Sequence, residues 1–120
     1  MFERIRRFFD TNRYHNAVKR ADAAFQRTGS RQYIILQTDF KLVVMDRAYF
    51  RLMKQEKRLP PEVTINTLQR ECLYHTPYAN GTEAMSNEEM NKRLDKYLRW
   101  CKAVREHEKA VKRQRKLAKK

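Results

Sequence analysis

The sequence predicts an α+β fold, a small single domain that is mostly helical, with a β-hairpin packed by an N-terminal and a C-terminal helix. Three observations predict it. Two short runs, Tyr33-Ile34-Ile35-Leu36 and Leu42-Val43-Val44-Met45, are denser in β-branched and large apolar residues than anything else in the chain. Long stretches on either side carry apolar residues at helical spacing. Three prolines and two glycines are too few for a many-turned β protein. At 120 residues the chain is one domain that can bury a real core without a disulfide or metal.

Residues 2–28 read as a helix, with Gly29 as the stop. Phe2, Ile5, Phe8 and Phe9 share one face of its first turns, and Val18, Ala21 and Phe25 continue an apolar stripe. Asp10-Thr11-Asn12 interrupts that pattern, so a break is expected there, with Asp10 capping a second segment. The two β runs follow, joined by Thr38-Asp39-Phe40-Lys41 as a tight turn. Tyr33 and Ile35 fall on one face of the first run, Ile34 and Leu36 on the other, which marks a strand covered on both sides. Because a lone hairpin is marginally stable, helices sandwich it or its edge pairs with a second copy in a homodimer.

Asp46 is a fair N-cap for a helix over 47–59, with Ala48, Leu52 and Met53 inward, ended by Pro60-Pro61. A short helix near 66–74 follows from Asn66 and Gln69 as a capping box, while Val63-Thr64-Ile65 could instead form an edge strand. His75 to Gly81 is a loop, with Pro77 and Asn80-Gly81 as breakers. Ser86-Asn87-Glu88-Glu89 opens the last helix, whose stripe is Met90, Leu94, Tyr97, Leu98, Cys101 and Val104. Beyond Val104 the stripe thins. The chain therefore divides into a globular part over 1–108 and a basic, helical or disordered tail over 109–120.

The formal net charge of +14 calls for an anionic partner, most commonly nucleic acid and next a membrane surface. It is unevenly placed: +8 over residues 1–60, −4 over 61–90 and +10 over 91–120. That implies two basic surfaces, or one assembled from both ends. The tail holds seven basic residues in twelve and no acid, and their mutual repulsion would be relieved on a phosphate backbone. The expected nucleic-acid contacts are Lys109, Lys112, Arg113, Arg115, Lys116, Lys119 and Lys120, with Arg99 and Arg105 behind them. Such contacts position a protein without reading bases. Tyr74, His75 and Tyr78 offer a weaker stacking site for single strands.

The alternative is an interaction or structural protein. In it Phe2, Ile5, Phe8, Phe9 and Trp100 dock on a protein partner or an anionic membrane surface. Enzyme signals are nearly absent, with no glycine-rich phosphate loop and no local partner for His15, His75 or His107. Cys72, His75, Cys101 and His107 match no zinc spacing, so no metal or cofactor is expected. Two cysteines outside any C-x-x-C, with no signal-peptide-like start, point to the cytoplasm.

Overall fold

The computed structural model describes residues 2–37 and 40–119. Over these the elements are α1 (Phe2–Thr28), β1 (Tyr33–Leu36), β2 (Leu42–Met45), α2 (Arg47–Gln55), α3 (Ile65–Glu71), β3 (Tyr74–His75) and α4 (Asn87–Ala118). The expected α+β architecture, mostly helical with a hairpin between N- and C-terminal helices, is what the chain forms. Thr38 and Asp39, in the expected hairpin turn, lie outside the described residues, as does Lys120.

The sheet is antiparallel in the order β2-β1-β3. Strand β3 corrects the expectation that helix or loop covers Tyr74 and His75. Leu73 N–H donates to Ile34 O (2.9 Å) and Thr76 N–H to Gln32 O (3.0 Å), and the Thr76 hydroxyl accepts from Gln32 N–H (2.8 Å). The chain thus fills from within the edge of β1 that the sequence reading offered to a second copy. The Val63–Ile65 stretch forms no strand.

Period-two alternation along β1 and β2 divides the core in two. Ile34, Leu36, Leu42 and Val44 face α1 and α4, meeting Tyr14, Ala17, Ala21, Tyr97 and Cys101. Tyr33, Ile35, Val43 and Met45 face the other way, onto Phe50, Met53, Leu68 and Cys72. Burial on both faces is what so apolar a strand requires. Ile34 is fully buried, and such a side chain contributes about 2 kcal/mol by leaving water.

Helix α1 runs unbroken through Asp10, against expectation. Its buried stripe is Asp10, Tyr14, Ala17 and Ala21, at i, i+4, i+7 and i+11. The small Ala17 and Ala21 let the helix lie close on the sheet. Asp10 is no cap because its carboxylate finds side-chain donors elsewhere, so it does not compete for backbone amides. Gly29 ends the helix as expected, at φ 72°, with its N–H bonded to Phe25 O (2.7 Å).

Asp46 caps α2 by accepting from Tyr49 N–H (2.8 Å). The helix stops at Gln55, short of Leu59, and turns inward Phe50 and Met53, while Ala48 and Leu52 stay exposed. It closes in a Schellman turn, with Lys57 N–H on Lys54 O, Arg58 N–H on Met53 O, and Lys57 at φ 59°. The turn swings Leu59 back toward the second core. Thr64, not Asn66, caps α3 through Thr67 N–H (3.2 Å). Ser86 caps α4 as its sequence implied, through Glu89 N–H (3.1 Å).

Between β3 and α4 the chain is held by Arg31, a buried guanidinium. Its Nε donates to Thr76 O (2.7 Å), its Nη2 to Glu83 O (2.8 Å) and to His75 Nδ1 (2.8 Å). Its plane lies 4.0 Å from the centre of the Tyr78 ring, and the Tyr78 hydroxyl accepts from Gln69 Nε2 (3.0 Å). His75 Nδ1 also lies 3.1 Å from Thr76 O, so a neutral ring accepts from Arg31 there and a protonated ring donates to the Thr76 carbonyl instead. Burial pushes the His75 imidazole below its ordinary 6.5, the Thr76 carbonyl opposes this, and the Arg31 charge reinforces it. A histidine lowered on folding contributes stability above pH 6.5 that is lost as pH falls toward its folded value. The urea midpoint should therefore drop between pH 7.5 and pH 5.5, and His75→Gln should flatten that segment of the profile. In the same assay Ile34→Ala should cost about 3 kcal/mol.

Candidate nucleic-acid interface

Helix α4 begins against α3 and ends beyond the sheet. Near its start Arg93 donates to Cys72 O (2.6 Å) and pairs with Glu89 (3.1 Å), tying the helix to the end of α3. Further along, Tyr97, Leu98 and Cys101 are buried. At 32 residues the helix is roughly 48 Å long, most of the 61 Å longest dimension of the molecule.

Where α1 meets α4, Asp10 is almost fully buried, at 2% exposure. Both Arg105 guanidinium nitrogens donate to it (2.6 Å each), and Arg13 Nη1 adds a third bond (2.9 Å). Arg13 also donates to the Tyr97 hydroxyl (2.9 Å), which in turn donates to Phe40 O (2.9 Å). Burial by itself would raise the Asp10 carboxyl. The hydrogen bonds and charges of Arg105 and Arg13 outweigh it and hold the group below the ordinary carboxylate range. The Arg13 and Arg105 guanidiniums lie 5.8 and 5.0 Å from the Phe40 ring centre. Phe40 is held in the left-handed region at φ 65° by that carpentry.

Arg105 therefore leaves the set of expected phosphate contacts, because its fork is committed to Asp10. Arg99 is exposed, but lies roughly a third of a turn around α4 from the centre of the tail's basic stripe. The remaining cations do come together. On a helix of 100° per residue, Lys109, Lys112, Arg113, Arg115, Lys116 and Lys119 occupy an arc of roughly 160°. That arc continues the line of Tyr97, Leu98, Cys101 and Arg105, the face docked on the body. Opposite lie Ala110, Val111, Gln114, Leu117 and Ala118. All six cations are exposed, and among the described residues none takes part in an ion pair.

The two basic ends of the chain meet beside this stripe. Arg6 of α1 shares a shallow groove with Lys109 and Lys112, floored by Phe40 and Arg105, with Glu108 at its rim. A neighbouring groove between α1 and α4 is lined by Arg4, Arg6 and Arg7 together with Lys102 and Lys109. Of the three acids there, Asp10 is compensated by Arg105 and Arg13, Glu3 pairs with Lys102 (3.7 Å), and Glu106 is exposed with no ion pair among the described residues. These grooves bring Arg4, Arg6 and Arg7 of the N-terminal end beside Lys102, Lys109 and Lys112, while Arg47, Arg51, Lys54, Lys57 and Arg58 lie apart, on and just after α2.

The other sequence-derived candidates are placed as follows. Tyr74 is buried and donates to Asp22 (2.7 Å), and Tyr78 is half-buried with Arg31 over one face of its ring. Trp100 is half-buried, stacked on Tyr97 (6.4 Å, 16°) and edge-on to Phe40 (5.6 Å), a border of the core more than a free anchor. Phe2, Ile5, Phe8 and Phe9 are exposed. Burial pushes both the Cys72 and Cys101 thiols up, which makes them poor nucleophiles. Among the described residues no three His, Cys, Asp or Glu side chains converge as metal ligands. The site residue missed in the sequence is Asp10 itself. Its spacing with Tyr14, Ala17 and Ala21 was the available signal.

Compared with family models, with curated proteins and with solved structures, the chain finds no match.

Asp10→Ala would leave two half-buried cations facing each other, at a cost of about 3 kcal/mol in urea denaturation. Because the Asp10 carboxyl is lowered on folding, its contribution is present above pH 3.8 and is lost as pH falls through the folded value. Acid unfolding of the parent should therefore be steeper than that of Asp10→Asn.

Proposed function

We propose that this protein binds nucleic acid through the phosphate backbone, with little dependence on sequence and without catalysis. The observation that carries the reading is the distal basic stripe of α4: six exposed cations in line, with no acid after Glu108. In isolation such a stripe repels itself. Set along a phosphate chain it displaces condensed counterions, and their release drives binding. Arg6, brought alongside by α1, extends the stripe onto the body.

The rest of the molecule supports a positioning role for this surface. Phosphate contacts from lysine and arginine set register without reporting base identity. The aromatic side chains nearest the stripe, Phe40, Tyr97 and Trp100, are packed on one another and on Arg13 and Arg105. Their faces are engaged, so electrostatics and not base stacking supplies the affinity. Arg105 contributes by holding α4 in place, and its own charge is spent on Asp10.

Binding to random-sequence duplexes should weaken steeply with salt, with log K falling by about 0.9 per phosphate neutralised for each tenfold rise in salt. Replacing Lys109, Lys112, Arg113 and Lys116 by Gln should reduce that slope by about 3 to 4. Affinity should differ little between unrelated sequences of equal length. A 1–108 truncation that bound as tightly as the full chain would overturn the assignment.

A further inference from the structure

The first turns of α1 carry a surface that the nucleic-acid reading does not use. Phe2 is 75% exposed, Ile5 48%, Phe8 60% and Phe9 58%. On the helical wheel these four fall in an arc of roughly 120°, nearly opposite the stripe by which α1 docks on the body. Four large apolar side chains side by side in water mark an interaction surface.

Charge around the patch identifies what fits it. Helix α1 has three acids, and all three are turned away. Glu3 pairs with Lys102 on α4, Asp10 is buried under Arg105 and Arg13, and Asp22 accepts from the Tyr74 hydroxyl. The outward face is left with neutral and cationic residues. Arg4 and Arg6 flank the aromatic ridge on its two sides, and the exposed Lys19, Arg20 and Arg27 follow along the helix. A second copy is a poor occupant, because two such ridges face to face would set Arg4 and Arg6 of each against those of the other. Four side chains are also far fewer than the roughly 20–30 residues a side of a stable interface. A convex apolar ridge flanked by cations matches a plane of anionic headgroups over acyl chains, which needs no shaped pocket to receive it.

We infer that the N-terminal turns of α1 bind the surface of an anionic lipid bilayer, with Phe2, Ile5, Phe8 and Phe9 inserted at the headgroup boundary and Arg4 and Arg6 on lipid phosphates. The contact is peripheral. Among the described residues no helix is long and apolar enough to cross a membrane. Its apolar ridge is on the opposite side of α1 from the face that meets α4, while Arg6 is shared with the nucleic-acid reading.

The test is co-sedimentation of the full chain with vesicles of phosphatidylcholine containing a quarter phosphatidylserine, beside vesicles of phosphatidylcholine alone. The parent should sediment with the anionic vesicles and far less with the neutral ones. Phe8→Ser combined with Phe9→Ser should weaken vesicle binding about tenfold or more, since each lost aromatic removes buried apolar area. The same variant should keep the parent's circular dichroism and its affinity for duplex DNA, because both residues are exposed and point away from the side of α1 that meets α4. Arg4→Gln with Arg6→Gln should weaken vesicle binding and make what remains less sensitive to salt. The inference is overturned if the parent ignores anionic vesicles, or if the phenylalanine variant binds them as the parent does, which would assign the contact to the basic tail. It is equally overturned if light scattering shows a parent dimer that the phenylalanine variant dissociates, since a second copy would then cover the ridge.

Discussion

A single buried carboxylate holds the two long helices of this protein in register. Asp10 takes two hydrogen bonds from Arg105 and one from Arg13, and is shut off from water. A lone carboxylate in that place would be costly to bury, and the two guanidiniums alone would repel each other. Together they make a cluster in which three charges satisfy one another. Because Arg105 reaches Asp10 from α4 and Arg13 from within α1, the cluster sets how the helices lie against each other. Tyr97 and Phe40 extend it to the hairpin turn, so the sheet is tied to the same point.

Both proposed surfaces follow from that arrangement. With Asp10 inward, the helical wheel places Phe2, Ile5, Phe8 and Phe9 outward, whatever their hydrophobicity would prefer. With Arg105 inward, the next residues on its line, Lys109, Lys112 and Lys116, extend past the body into solvent. The electrostatic logic is a division of labour among arginines and lysines. Arg31, Arg93, Arg13 and Arg105 are the internal fasteners, each using the planar fork of the guanidinium to satisfy several acceptors. The lysine-rich end of α4 carries cations that enter no ion pair among the described residues.

The chain's acids are distributed to suit this. Those on α1 are consumed by the interior and by α4, and the acidic middle segment serves caps, first-turn positions and local pairs. Cations without an ion pair among the described residues include Arg4 and Arg6 of α1 and Lys109 to Lys119 at the end of α4, and the two grooves between these helices bring some of them together. A polyanion for the α4 stripe and an anionic bilayer for the α1 ridge are two separate proposals drawn from one charge pattern.

Much of this was legible in the residue order. The β-branched runs at 33–36 and 42–45, the Asp46 and Ser86 caps, the Gly29 stop and the cationic excess of the last twelve residues are local properties. Each depends on side-chain shape or charge within a few positions, so reading along the chain recovers them. The burial of Asp10, the exposure of the phenylalanines, the withdrawal of Arg105 and the pairing of β3 with β1 depend on partners 40 to 95 residues away. An aspartate such as Asp10 reads as a cap until the helix is docked. Which face of an amphipathic segment turns inward is decided by what waits on the other side, and here Asp10, Tyr14, Ala17 and Ala21 meet partners on α4 and the sheet.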